Sequence, residues 1–195
     1  MVRWYHAIFT AYGFWLPNDP RGSWSDFVGS WELYKFGVPT TTSEKRSLAH
    51  DPYDVELRRE AKHALRYPPA RFDQRQRDLI ADGIAQACDE SDLPVHACAI
   101  GYDHVHTVVG RHAKTIEQVV HHFKSRATKH MNRTAMHPLR VFAGADGTTP
   151  CPWAEGCWHV FINDERQLKL AIDYVNGHPQ KEGLPAQRWA FVSPV

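Results

Sequence analysis

Apolar positions recur along this chain with two different periods, and each change of period marks a boundary between elements. Val2 to Thr10, rich in aromatic and branched residues, predicts a first strand. Asp51-Pro52 opens a helix, since proline is tolerated in a first turn, and Tyr67-Pro68-Pro69 ends it. Its charges, from Glu56 through Arg58, Arg59, Glu60, Lys62 and Arg66, read as a solvated face. Asp73-Gln74-Arg75-Gln76 caps a second helix with Leu79, Ile80, Ile84 and Ala87 as its buried stripe. Leu93 to Ile100 and His104 to Val109 have strand length and branched composition, and Gly101-Tyr102-Asp103 between them turns the chain into a hairpin. Thr115-Ile116-Glu117-Gln118 is a capping box, and Ile116, Val119, Val120, Phe123, Ala127 and Met131 mark the core face of the helix it opens. After a Gly/Thr/Pro loop over Ala143 to Pro152, Trp158 to Ile162 reads as a last strand. Asp164 then caps a helix, with Gln167 closing a capping box, and Leu168, Ala171, Ile172 and Val175 keep helical spacing until Pro179. Lys181 and Arg188 follow in a tail anchored by Leu184 and Trp189.

The order strand, insertion, helix, strand, strand, helix, strand, helix predicts an α+β, ferredoxin-like (RRM-like) sandwich. It has an antiparallel sheet with helices on one face, a long aromatic-rich insertion after the first strand and an added C-terminal helix. At 195 residues the chain suits one domain spanning 1–195, with 11–70 as the insertion. Glycines and prolines punctuate Tyr12 to Pro39 between Trp15, Trp24, Phe27, Trp31, Tyr34 and Phe36, so the segment either packs its own rings over the core or covers a ligand. Aromatic rings stack on unpaired bases for about 1–3 kcal/mol each, and Arg21 or Lys35 there would suit phosphates.

Composition narrows the class. A 43% hydrophobic share with 12% aromatic residues is that of a globular chain. A formal net charge of +1 argues neither for nor against nucleic acid, so any basic surface formed by the 23 Lys and Arg residues is local. No apolar run approaches the ~20 residues that cross a bilayer, and the N-terminus lacks the apolar core of a signal peptide, which predicts a cytoplasmic protein. Cys88, Cys98, Cys151 and Cys157 are too few and scattered for a disulfide scaffold, and Cys151, Cys157 and His159 fit no standard zinc finger spacing.

Candidate chemistry gathers in two places. His104 and His106 alternate on a strand and so share a face, where two neutral imidazoles make half of a metal site or else a pair of hydrogen-bonded surface rings. Asp103 beside them serves the turn or orients a ligand histidine. Near the other end, Leu170, Tyr174 and His178 follow at i, i+4 on a second stripe of the last helix, placing a phenol one turn from an imidazole. Alone, the tyrosine reads as packing and the histidine as a charge at a helix C-terminus. The polar side of the Thr115 helix carries His121, His122, Lys124, Ser125, Arg126, Lys129 and His130, a face suited to phosphates or to solvent.

Asp103-His104-Val105-His106 followed by a helix bearing Tyr174-Val175-Asn176-Gly177-His178 resembles the HUH single-tyrosine transposases, in particular their REP-associated (IS200-like) branch. The resemblance extends loosely to Tyr12 through Gly22, Phe123 through Thr128 and Trp153 to Trp158. It implies that His104, His106 and His178 hold a divalent metal, Mg²⁺ or Mn²⁺, and that Tyr174 is the catalytic nucleophile. Where the family more usually has glutamine or asparagine four residues after the tyrosine, this chain has His178, which keeps a ligand and makes the set all-imidazole. Such a set by itself suits Zn²⁺ or Ni²⁺, so Mn²⁺ is expected to serve at least as well as Mg²⁺.

The activity implied is cleavage and rejoining of single-stranded, hairpin-bearing DNA through a 5′-phosphotyrosine intermediate. Lys124, Arg126, Lys129, Arg21 and Trp15 are the candidate DNA contacts. The resemblance further implies association with the nucleoid and a tyrosine helix that docks on its own subunit or on that of a homodimer mate, and the lack of a long apolar run predicts no membrane partner. A non-catalytic hairpin-binding module and a metal-dependent nuclease without a covalent intermediate are the competing readings.

Overall fold

The computed structural model describes residues 3–16, 31–37, 52 and 54–195. Arg21, Asp51 and about half of the 11–70 insertion lie outside the described residues. The elements are β1 (Trp4–Thr10), α1 (Trp31–Tyr34), α2 (Val55–His63), α3 (Gln74–Ser91), β2 (Val95–Ile100), β3 (His104–Gly110), α4 (Ile116–Arg133), β4 (Trp158–Ile162), α5 (Glu165–Asn176) and α6 (His178–Lys181). A 3₁₀ turn, Arg140–Phe142, lies between α4 and β4.

Four strands form an antiparallel sheet in the order β2-β3-β1-β4, with α3 linking β1 to β2 and α4 linking β3 to β4. This is the ferredoxin-like arrangement, with β1 and β3 in the middle. Strand alternation divides the side chains cleanly. Ala7, Phe9, Val95, Cys98, Ile100, Val105 and Val109 face one way, where Ile80 and Ile84 of α3 and Val120 and Phe123 of α4 close the main core over them. The caps that start these helices are those the sequence indicates: Asp73 with Gln76, and Thr115 with Gln118, each form both bonds of a capping box.

The opposite face is only partly covered. Ala97, Ala99, Val108 and Ile162 meet Leu168 and Val175 there, so α5 crosses the sheet on the side away from α3 and α4. The small side chains of Ala97 and Ala99 let it lie close to β2. The expectation of helices on one face thus holds for α3 and α4, while the added C-terminal helix takes the other.

Helix α2 ends at His63, ahead of Tyr67, and β2 begins at Val95 instead of Leu93, while two further boundaries differ for a clear local reason. Helix α2 begins at Val55 because Asp54, not Asp51, caps it, its Oδ1 accepting from Leu57 N at 2.9 Å. The last helix breaks at Gly177, and Pro179 sits in the first turn of α6. Proline at 179 cannot donate to the Val175 carbonyl and would clash with it, so α5 cannot run through.

Candidate metal and nucleophile site

The register of the sheet fixes the first two rings. His104 lies opposite Thr10 and His106 opposite Ile8 on β1, both on the face that α5 partly covers. Both rings are buried, with centroids 5.0 Å apart. The α5–α6 break delivers the third: His178 opens α6, its Nε2 stands 2.8 Å from His104 Nε2, and its ring centroid is 4.2 Å from that of His106. One nitrogen from each of the three rings falls within 4.8 Å of the others.

Outer partners determine which nitrogens are available. A carboxylate only accepts, so Asp103 Oδ1, 2.9 Å from His104 Nδ1, holds the proton there and leaves the Nε2 lone pair facing His178. His106 Nδ1 lies 3.0 Å from His6 Nε2. Burial pushes His6 down to about 4, so it is neutral and can accept from His106 Nδ1–H, which frees His106 Nε2. Burial also holds His106 well below the usual histidine range, helped by the neighbouring His104, His6 and His178. His178 is lowered to about 4, first by burial and then by His104 and Lys181. With His106 and His178 held below the usual histidine range and one nitrogen of each of the three rings within reach of the others, this group can hold a divalent ion.

Tyr174 stands at the edge of the cluster. Its ring centroid is 5.7 Å from both His106 and His178 and 5.8 Å from His6, and 43% of the residue is exposed. Lys181 places its ammonium 4.4 Å from the centre of the tyrosine ring. Burial, with Glu182 adding to it, raises the phenol above its ordinary value, so it is protonated at neutral pH. Although the sequence stripe ran Tyr174 and His178 along a single helix, the pair stays together across the break because Gly177 keeps right-handed helical dihedrals, φ −84° and ψ −6°.

The candidate DNA contacts are spread more widely. Trp15 packs edge-on against Phe14 at 6.2 Å, and Phe14 in turn lies 5.4 Å from the His104 ring, so this pair borders the site. Lys124, Arg126 and Lys129 belong to α4, on the far side of the sheet from the histidines. Lys124 Nζ donates to the carbonyls of Ala154 at 2.8 Å and Gly156 at 2.6 Å, Arg126 is paired with Glu90 at 2.6 Å, and Lys129 is exposed. Nearer the histidines, a small cleft of about 70 Å³ beside Asp103 is lined by Phe14, Arg58, Lys62 and Arg71, two of which the sequence pattern assigned to a solvated helix face.

His6, Lys181 and Glu182 are the site residues that sequence reasoning passed over. His6 shares strand parity with the motif only through a β1–β3 register that spans 100 residues of sequence, which no local pattern encodes. Lys181 and Glu182 lie past the proline that ends the helical pattern, where the chain reads as tail.

No protein-family model matches this sequence, and no curated protein does. Among solved structures, the chain is similar to a REP-associated tyrosine transposase bound to a REP hairpin, at 11% sequence identity and a TM-score of 0.46, over 94% of this chain and 70% of that one. None of the helices among the described residues is long and apolar enough to cross a membrane.

Proposed function

We propose that this protein cleaves and rejoins single-stranded DNA, with Tyr174 as nucleophile beside a divalent-metal site on His104, His106 and His178. The observation that carries the reading is the meeting, within one chain, of the phenol with the imidazole cluster: Tyr174 lies 5.7 Å from His106 and from His178, centroid to centroid. A close trio of imidazoles offers a metal site, and a half-exposed tyrosine at its rim adds a group that can attack what the metal holds. The motif resemblance supplies the substrate class, hairpin-bearing single strands.

A divalent ion, Mg²⁺ or Mn²⁺, would supply charge neutralisation and polarisation of the scissile phosphate. Asp103 keeps His104 in the tautomer that points Nε2 inward, and His6, by accepting from His106 Nδ1–H, would leave His106 Nε2 free. Tyr174 Oη forms the new bond to phosphorus while the P–O3′ bond breaks; the phenol gives up its proton toward the exposed side, and the departing 3′-oxygen takes one up. The product is a 5′-phosphotyrosine and a free 3′-hydroxyl. One phosphodiester is exchanged for another, so a 3′-hydroxyl can reverse the step without a nucleotide cofactor. Lys181 beside the phenol suits a phosphate oxygen, and Trp15 with Phe14 suits a stacked base next to His104. Lys124, Arg126, Lys129 and Arg21 remain proposed backbone contacts, with α4 reached only by a strand that passes around the sheet.

The test is an adduct assay. A pool of 3′-labelled DNA hairpins with random single-stranded flanks is incubated with the protein and Mn²⁺, then denatured. A labelled, protease-sensitive adduct that is absent in Tyr174→Phe is the expected result. Cleavage without an adduct would point to a nuclease, and binding without cleavage to a hairpin-binding module.

A further inference from the structure

We infer that Glu182 is a fourth ligand to the same divalent ion, adding one carboxylate oxygen to the three imidazoles; this rests on the metal site proposed above. Glu182 follows His178 by four residues, so the two side chains leave α6 on one side. Its Oε1 lies 3.7 Å from His104 Nε2 and 4.0 Å from His178 Nε2. Both distances are too long for hydrogen bonds, so the carboxylate faces the two rings without being bonded to either. For a six-coordinate ion with bonds of about 2.1 Å, adjacent ligands lie about 3.0 Å apart and opposite ones about 4.2 Å. The separations of 2.8, 3.7 and 4.0 Å among His104, His178 and Glu182 are close to that span.

Two independent features show that the carboxylate is placed there. Its other oxygen, Oε2, is buried with no hydrogen-bond partner among the described residues. It also occupies space that only a glycine leaves open, since a Cβ on Gly101 would overlap Oε2. A carboxylate with one oxygen buried and orphaned, and the other facing the Nε2 atoms of two histidines without a bond to either, is placed to meet a cation. Asp103 also lies against His104 but is bonded to its Nδ1, so it positions the ring, whereas Glu182 faces the ligating nitrogen.

The consequence is a change of preference. Three neutral imidazoles alone favour softer ions such as Zn²⁺ or Ni²⁺. A charged, hard oxygen makes the set more hospitable to Mn²⁺ and Mg²⁺. That would offset the substitution of histidine for an amide at position 178.

The experiment titrates the full chain with Mn²⁺, following free ion by electron paramagnetic resonance, and measures Zn²⁺ by the Mn²⁺ it displaces. Glu182→Gln is expected to weaken Mn²⁺ binding by about tenfold or more and to weaken Zn²⁺ less, with Glu182→Asp recovering part of the loss. Gly101→Ala displaces the end of a flexible side chain, so it provides a second variant, expected to act in the same direction; it decides the question if Glu182→Gln does not fold. Mn²⁺ affinity and Mn²⁺/Zn²⁺ ratio unchanged in a folded Glu182→Gln would overturn the inference while leaving the three-histidine site intact. A wild-type chain that binds neither ion would overturn both.

Discussion

Asp103 and His104, neighbours in sequence, are also hydrogen-bond partners, with Oδ1 and Nδ1 2.9 Å apart. The contact settles the tautomer of the His104 ring. It depends on a hairpin in which the Asp103 main-chain carbonyl is itself held by Ala11 N at 2.7 Å.

That backbone bond survives any side-chain change at 103, so Asp103→Asn isolates the orienting role. An amide is a weaker acceptor and carries no charge. Mn²⁺ affinity is expected to fall about 10–100-fold with an unchanged circular dichroism spectrum. Isothermal titration checks this, and an affinity within twofold of wild type would remove Asp103 from the site.

Metal should stabilise the fold, because the histidines proposed to hold it come from β3 and from the start of α6 and are brought together only in the folded chain. At a Mn²⁺ concentration 100 times Kd the gain is about 2.7 kcal/mol. For a chain of this size that corresponds to a rise of roughly 5–10 °C in Tm relative to EDTA. His104→Ala should abolish the difference, and a scanning fluorimetry series in both buffers measures it.

Gly83 marks where α3 and α4 pack most closely. A Cβ there would come 2.5 Å from Cα of Ala127 and 2.7 Å from the carbonyl carbon of Arg126, backbone atoms that cannot swing aside. Alanine would gain up to about 1 kcal/mol from helix propensity. Overpacking against backbone outweighs that, so Gly83→Ala is expected to destabilise by about 1–3 kcal/mol net, read from the urea midpoint.

Lys124 carries a pH signature. Burial lowers its ammonium to about 8, against 10.5 in an exposed lysine. Between those values the unfolded chain holds a proton that the folded chain has released. This residue's contribution to stability therefore rises as pH increases from about 8 to about 10.5, and its desolvation penalty is complete below about 8. The stability of wild type relative to Lys124→Met should climb through that window, and a flat difference in urea midpoints would contradict the burial.

Much of this architecture is legible in the residues themselves. The two capping boxes, the core stripe of α4 and the hairpin around Gly101 depend on contacts within a few residues, which sequence spacing encodes directly. The α2 start lies one turn beyond the Asp51-Pro52 signal because Pro52 and Asp54 are both good starting residues, and the Asp54–Leu57 bond decides between them. The helix break at Gly177 hid Lys181 and Glu182, because a periodic pattern loses its phase at proline.

By itself the sequence determined the local elements, the pairing of His104 with His106 on one face, and the spacing of Tyr174 from His178. Only the tertiary structure decided that the last helix crosses the free face of the sheet, bringing His178 within 2.8 Å of His104. It also brought in His6 and Glu182, and left Lys124, Arg126 and Lys129 on the other side. The physical reason is that strand and helix periods fix which way a side chain points, whereas its partner depends on register and packing between segments far apart in the chain, which local spacing does not encode.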